Sequence, residues 1–160
     1  MAPVNSVIVC TSVHHGNTHV VAEAMASATG GWVLRPGDEA HEAIHNADVA
    51  GFGSGIFFGS HHRDLLQFAG SLNPVQGCGA FLFSTSGTGH RIPRLIGVDY
   101  HRKLRRILQR KGYTIVGEFD CRGFDTYGPW GRLGGIAKGH PNNTDLKRAF
   151  RFAHDLIHSE

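Results

Sequence analysis

Short apolar runs recur along the chain at SVIVC (6–10), WVL (32–34), DVAGFG (48–53), GAFLF (79–83) and YTIVGEF (113–119). The first, third and fourth show no polar alternation, the pattern of strands covered on both faces. Between the runs, apolar positions return every three to four residues, as on one side of a helix. Val21, Met25 and Ala28 make one stripe, and Leu65, Phe68, Ala69 and Leu72 a second. Tyr100, Leu104, Ile107 and Leu108 make a third, and Leu146, Phe150, Ala153 and Ile157 a fourth. The segment PGDEAHEAIHNA leaves room for a short helix of two or three turns. Strand and helix thus alternate throughout, which predicts parallel strands joined by right-handed crossovers. The expected fold is α/β, a three-layer sandwich built on a five-stranded parallel sheet.

A length of 160 residues with 41% hydrophobic and 18% charged content suits one domain over residues 1–160. No linker or repeat divides it. The stretch at 121–142 is the exception, rich in glycine and without periodicity. Its Phe124, Tyr127 and Trp130 argue for a folded cap on the C-terminal edge of the sheet, where open α/β sheets bind ligands.

No window approaches the ~18 to 20 apolar residues of a membrane span, and MAPVNSV lacks the features of a secretion signal. A soluble, cytoplasmic protein is expected. Cys10, Cys78 and Cys121 are widely separated and read as small apolar residues in a reducing compartment. A net charge of +3 bears on partners and not on fold.

Three Gly- and Ser-rich turns follow the first, third and fourth runs and leave the sheet at the same end. In the first, Gly16 permits tight curvature, and Ser12, Asn17 and Thr18 supply short donors at a helix N-terminus, where free N–H groups favour an anion. Taken alone, capping of that helix by Asn17 or Thr18 explains the turn equally well. The second, GFGSGIFFGSHH (51–62), carries Phe57 and Phe58, suited to stacking on a planar ring. The third is STSGTGHRIP (84–93). Together they describe a mononucleotide site.

At these residues the chain resembles the flavodoxin-like family of FMN-binding, doubly wound proteins. The likeness rests on HHGNT (14–18) against the family's (S/T)-x-T-G-x-T phosphate loop, and on the order of the two later turns. The resemblance implies FMN as cofactor. It assigns the phosphate to Ser12, His14, His15, Gly16, Asn17 and Thr18, with the imidazoles either donating to it or covering it. It assigns the ring to Ser54, Gly55, Ile56, Phe57, Phe58 and Gly59, and the pyrimidine edge to Ser84, Thr85, Ser86, Gly87, Thr88 and Gly89. The implied function is electron transfer between protein partners. An FMN-dependent oxidoreductase acting on a quinone or other small acceptor, and a flavin-free binding module, are the alternatives. Ser60, His61, His62 and Arg63 follow the ring loop, so positive charge is expected to favour reduced flavin.

Other signatures lack context. HEAIH (41–45) matches the zinc motif H-E-x-x-H but falls in the shortest crossover, and reads as a solvated face with Ala43 or Ile44 turned inward. No catalytic residue and no metal site is assigned. The tract HRKLRRILQRK (101–111) holds six Lys and Arg, and its reading is a solvated face or a dock for an acidic redox partner. It lacks interleaved aromatic residues beyond Tyr100, which speaks against nucleic acid.

Overall fold

The computed structural model of the chain describes residues 3–13, 15–89, 93, 95–125, 132 and 134–159. Its strands are β1 (Ser6–Thr11), β2 (Trp32–Leu34), β3 (Val49–Phe57), β4 (Ser60–His61), β5 (Gly79–Ser86) and β6 (Thr114–Arg122). The helices are α1 (Asn17–Thr29), α2 (Asp38–His45), α3 (Arg63–Ser71), α4 (Arg102–Arg110) and α5 (Asn143–His158). Five strands pair in parallel in the order β2-β1-β3-β5-β6, as the alternation predicts. β4 is an addition: it pairs antiparallel with the end of β3, Phe57 facing Ser60. No helix among the described residues is long and apolar enough to cross a membrane.

The sheet is buried on both faces, which explains the unbroken apolar runs. On one face Phe52 and Leu82 pack with Ile44, Leu65, Leu104 and Leu108 from α2, α3 and α4. On the other, Ile8, Phe81 and Phe83 pack with Val21 and Met25 of α1 and Ala149 and Ala153 of α5. Each fully buried aromatic ring contributes ~2 to 3 kcal/mol. The glycines of β3 belong to this packing: the Phe81 and Phe83 rings occupy the places where side chains on Gly51 and Gly53 would stand. A stretch that looks like a loop by composition is therefore the centre of the sheet.

Two expectations shift. Ser54–Phe57 and Ser84–Ser86 are not loops but the last residues of β3 and β5, with Ser54 beside Ser84 and Gly55 beside Thr85. Inter-strand hydrogen bonds satisfy a backbone that would otherwise need solvent. In α5, Phe150 is 43% exposed and Phe152 turns inward onto Phe81 and Phe119. Ala149 and Ala153 let α5 approach α1 closely, and that ridge fixes the rotation of the helix. The Phe152 ring then lies over Gly117, where a side chain would crowd it.

Candidate functional site

A cleft of about 330 Å³ opens at the C-terminal edge of the sheet. All three expected turns contribute: Val13, Asn17 and Thr18 after β1, Gly55 to Gly59 from the β3–β4 hairpin, and Thr85 to Thr88 after β5. Tyr100 and the cap residues Gly123, Phe124, Asp125 and Ile136 close the remaining sides.

The hairpin is the most unusual wall. Two residues, Phe58 (φ 50°) and Gly59 (φ 75°), join antiparallel strands in the left-handed region, the geometry of a tight primed turn. Glycine suits the second place, whereas a phenylalanine in the first is strained, at a cost of ~1 to 3 kcal/mol. The same ring is 90% exposed at the lip of the cleft. Phe57 meets His62 edge to face at 5.2 Å.

At the first turn, His15 and Gly16 are both left-handed (φ 56° and 66°), and no side chain caps α1. The first-turn N–H groups thus face outward without a side-chain acceptor. Ser12 Oγ and Thr11 Oγ1 are buried and lack hydrogen-bond partners. This is the set of donors an anion would satisfy. Thr18, 2% exposed, meets Thr85 hydroxyl to hydroxyl at 2.8 Å, and Asn17 donates its amide to the Phe124 carbonyl at 2.7 Å. First turn, third turn and cap are thereby joined. The cap seats directly on glycine: Ile136 fills the space beside Gly87, and Asn17 that beside Gly123.

Several expected site residues stand elsewhere. Ser12 and Gly16 line a second cleft of about 310 Å³ with Cys10, His19 and Arg35, across the turn from the first. His15 packs its ring on Phe124 at 4.6 Å. Gly89 does not line the cleft but closes a turn, donating its N–H to the Ser86 carbonyl. His14, like His90, Tyr127 and Trp130, lies outside the described residues.

Ser54 and Ser84 sit beneath the cleft and are fully buried. Ser54 Oγ donates to the Gly55 carbonyl, accepts the His62 N–H, and lies 2.9 Å from His61 Nδ1. Ser84 Oγ lies 2.8 Å from His101 Nε2, and His101 Nδ1 lies 3.0 Å from the Glu118 carboxylate. Arg105 donates to Glu118 at 2.9 Å and to Asp99 at 2.7 Å. Ser84, His101 and Glu118 share the connectivity of a hydrolase triad, yet Ser84 is 1% exposed and absent from the cleft wall. The chain ties α4 to the strands that carry the cleft. Burial alone would raise the Glu118 carboxyl, but hydrogen bonds from His101 and Arg105 outweigh it and hold it well below the usual range. Hydrogen bonding to Arg105 likewise lowers Asp99.

The cationic cluster expected beside the ring is also rearranged. His61 is buried at 2% exposure, and His62 Nδ1 accepts the Asp64 N–H at the start of α3. Arg63 lies exposed on that helix. In α2, Ala40 and Ile44 are buried, while His41 lies 3.1 Å from Ser71 Oγ and packs on Phe68. All three cysteines are buried free thiols, and burial pushes Cys10 and Cys121 up to about 12.

The network at His61, His101 and Glu118 left no local trace in the sequence, because its members lie 17 to 57 residues apart. Tyr100 was visible only as one member of a helical stripe. Asp125 and Ile136 reach the cleft through an antiparallel bridge inside the cap, a contact no periodicity reports.

Strand order, the three turns and the edge cleft define a flavodoxin-like fold. Solved structures of this fold include Flavodoxin 2 from Bacillus cereus, with a TM-score of 0.68 and 14% identity over 95% of this chain and 97% of that one. A WrbA-like flavodoxin from Agrobacterium tumefaciens aligns at 0.66 and 19% identity, covering 96% and 95% of the two chains. The apo form of the NADH:FMN oxidoreductase EMOB aligns at 0.65 and 19% identity, covering 98% and 91%. No family model matches the sequence. The chain belongs to the family of the uncharacterized protein MJ0298 of Methanocaldococcus jannaschii, to which it is 37% identical over 152 residues, 95% of this chain and 97% of that protein.

Proposed function

We propose that this protein binds FMN in the edge cleft and carries electrons between protein partners. The observation that carries this reading is Phe58: a strained, 90% exposed aromatic ring at the lip of a cleft whose far end is an uncapped helix N-terminus. Strain and exposed apolar area are both unfavourable in the empty protein and are offset when a flat ring covers the side chain. Bound FMN would supply reversible one- and two-electron chemistry. The first-turn N–H groups of α1, with Asn17 and Thr18, would hold its phosphate. Phe57 and Phe58 would flank its ring, and the backbone of Thr85 to Thr88 would meet the ring edge.

A volume of about 330 Å³ lies within the ~300 to 1,000 Å³ usual for ligand sites and is compatible with a mononucleotide. A cytoplasmic setting is part of the reading and is supported by three thiols kept reduced and buried. One observation favours the oxidoreductase instead: the cap places Phe124, Asp125 and Ile136 as a wall that a simple carrier would not need.

The visible spectrum of freshly purified protein, followed by titration of stripped protein with FMN, tests binding. Flavin absorbance near 375 and 450 nm with stoichiometric uptake is what the family resemblance implies. A colourless protein that takes up no FMN overturns the proposal and leaves a flavin-free binding module. Steady-state quinone reduction from a nicotinamide donor would transfer the assignment to the oxidoreductase.

A further inference from the structure

We infer that the outer face of α4 is the docking surface for an acidic protein partner. This rests on the electron-transfer reading and deepens it by naming the partner's chemistry. Four of the helix's cations, Arg102, Lys103, Arg106 and Arg110, are exposed. Among the described residues none of the four has an acidic partner, in contrast to Arg105, which is turned inward and held by Asp99 and Glu118. At 100° per residue the four lie within one third of the helix circumference.

The arrangement is locally unfavourable. Arg102, Arg106 and Arg110 stand at successive i, i+4 positions, where like charges destabilise a helix. Arg102 and Lys103 lie in the first turn, against the positive end of the helix dipole; the turn itself holds no acidic residue, and the Asp99 carboxylate just before it is engaged by the His101 N–H and Arg105. A helix selected only for folding would carry glutamates among these positions. An opposing acidic surface removes the repulsion and explains why it is tolerated.

Charge over the whole chain points the same way. Residues 1–64 hold six Asp and Glu against two Arg, whereas residues 65–160 hold fourteen Lys and Arg against seven acids. Because the sheet runs β2-β1-β3-β5-β6, the strands of the acidic half lie on one side of the sheet and β5 and β6, with α4 packed beside them, on the other. Such polarity orients an acidic partner before contact.

Position ties the face to the cleft. Tyr100, two residues before α4, lines the cleft and lies 3.4 Å from the Thr88 hydroxyl of the third turn. The turn leading into it exposes Leu95 by 83%, Ile96 by 76% and Val98 by 37%. An apolar centre flanked by cations is the anatomy of a protein interface. Single-stranded nucleic acid would call for exposed aromatic platforms along the basic face, and α4 has none.

The test uses the full chain, with and without FMN, and three probes: poly-L-glutamate of about 20 residues, single-stranded DNA of about 20 nucleotides, and phosphatidylglycerol vesicles. Amide shifts on adding poly-L-glutamate should concentrate in residues 95–110. The variant Arg102→Glu, Arg106→Glu, Arg110→Glu should bind it about tenfold or more weakly, and ~0.3 M salt should weaken the wild type. A control reversal on α5, Lys147→Glu with Arg151→Glu, should change affinity by less than about twofold. The inference is overturned by equal losses in the two variants, by shifts spread over α5, or by DNA or vesicles binding about tenfold tighter than the polypeptide at physiological salt. It is also overturned if the chain self-associates through α4. Circular dichroism of the triple variant verifies that α4 still forms. Because probe binding is read in both states, failure of FMN uptake and failure of docking are separate results.

Discussion

The Glu118 carboxylate lies between His101 and Arg105 and is 16% exposed. Replacing it with glutamine leaves Arg105 only the Asp99 carboxylate as counter-charge and should cost about 3 kcal/mol at neutral pH, since breaking a buried pair strands its partner. The sign with pH follows from the lowered carboxyls. Glu118 and Asp99 titrate below their unfolded values when folded, so their stabilisation is complete above about pH 4.5 and is lost as pH falls through the folded values. Urea midpoints at neutral and acid pH should therefore show Glu118→Gln and wild type converging in acid. Equal midpoints at pH 7 would remove the cluster from the stability of the fold. At the cleft, Thr18→Ala should weaken FMN by about ten- to a hundredfold and riboflavin much less, because a hydrogen bond to a charged group is worth ~1.5 to 3 kcal/mol. Titration of both ligands decides between phosphate binding and a purely structural bond to Thr85.

Among the elements, the β3–β4 hairpin carries the sharpest conflict between stability and function. Asparagine tolerates the left-handed conformation that strains Phe58, so Phe58→Asn should raise the stability of flavin-free protein by about 1 kcal/mol while lowering FMN affinity. Thermal melts and flavin fluorescence read the two effects separately, and a variant that keeps full affinity shows that the ring does not stack. On α5, Phe152→Ala should destabilise by about 3 kcal/mol, and Phe150→Ala, at 43% exposure, by less than about 0.5. Apolar spacing could not separate these two positions. Both fit a stripe of period 3.6, and the close approach of α1 through Ala149 and Ala153 selects Phe152.

For the whole molecule, the cleft joins three strand ends and the cap, so a ligand there stabilises only the assembled fold. Saturating FMN at about a hundred times its dissociation constant should raise unfolding free energy by ~2.7 kcal/mol, and a melt unmoved by FMN contradicts binding. Charge acts at the same scale. The excess of cations falls in the part of the chain that supplies β5 and β6, on the opposite side of β3 from β1 and β2.

The sequence alone determined the layers and the five parallel strands, though not the added β4, because burial on both faces forces unbroken apolar runs and helices force the 3.6 period. It also located the three turns and nominated Asn17, Thr18, Gly55 to Gly59 and Thr85 to Thr88, all of which reach one cleft. Those residues are short, local and chemically distinctive. Tertiary structure decided the rest. Ser54 and Ser84 look like binding hydroxyls in the sequence but pair in register beneath the cleft, where buried histidines claim them. Ser12 and Gly16 open on the far side of their turn. Only packing brings His61 within 5.0 Å of His101, or Ile136 onto Gly87, because these contacts join segments whose separation in sequence leaves no period to read.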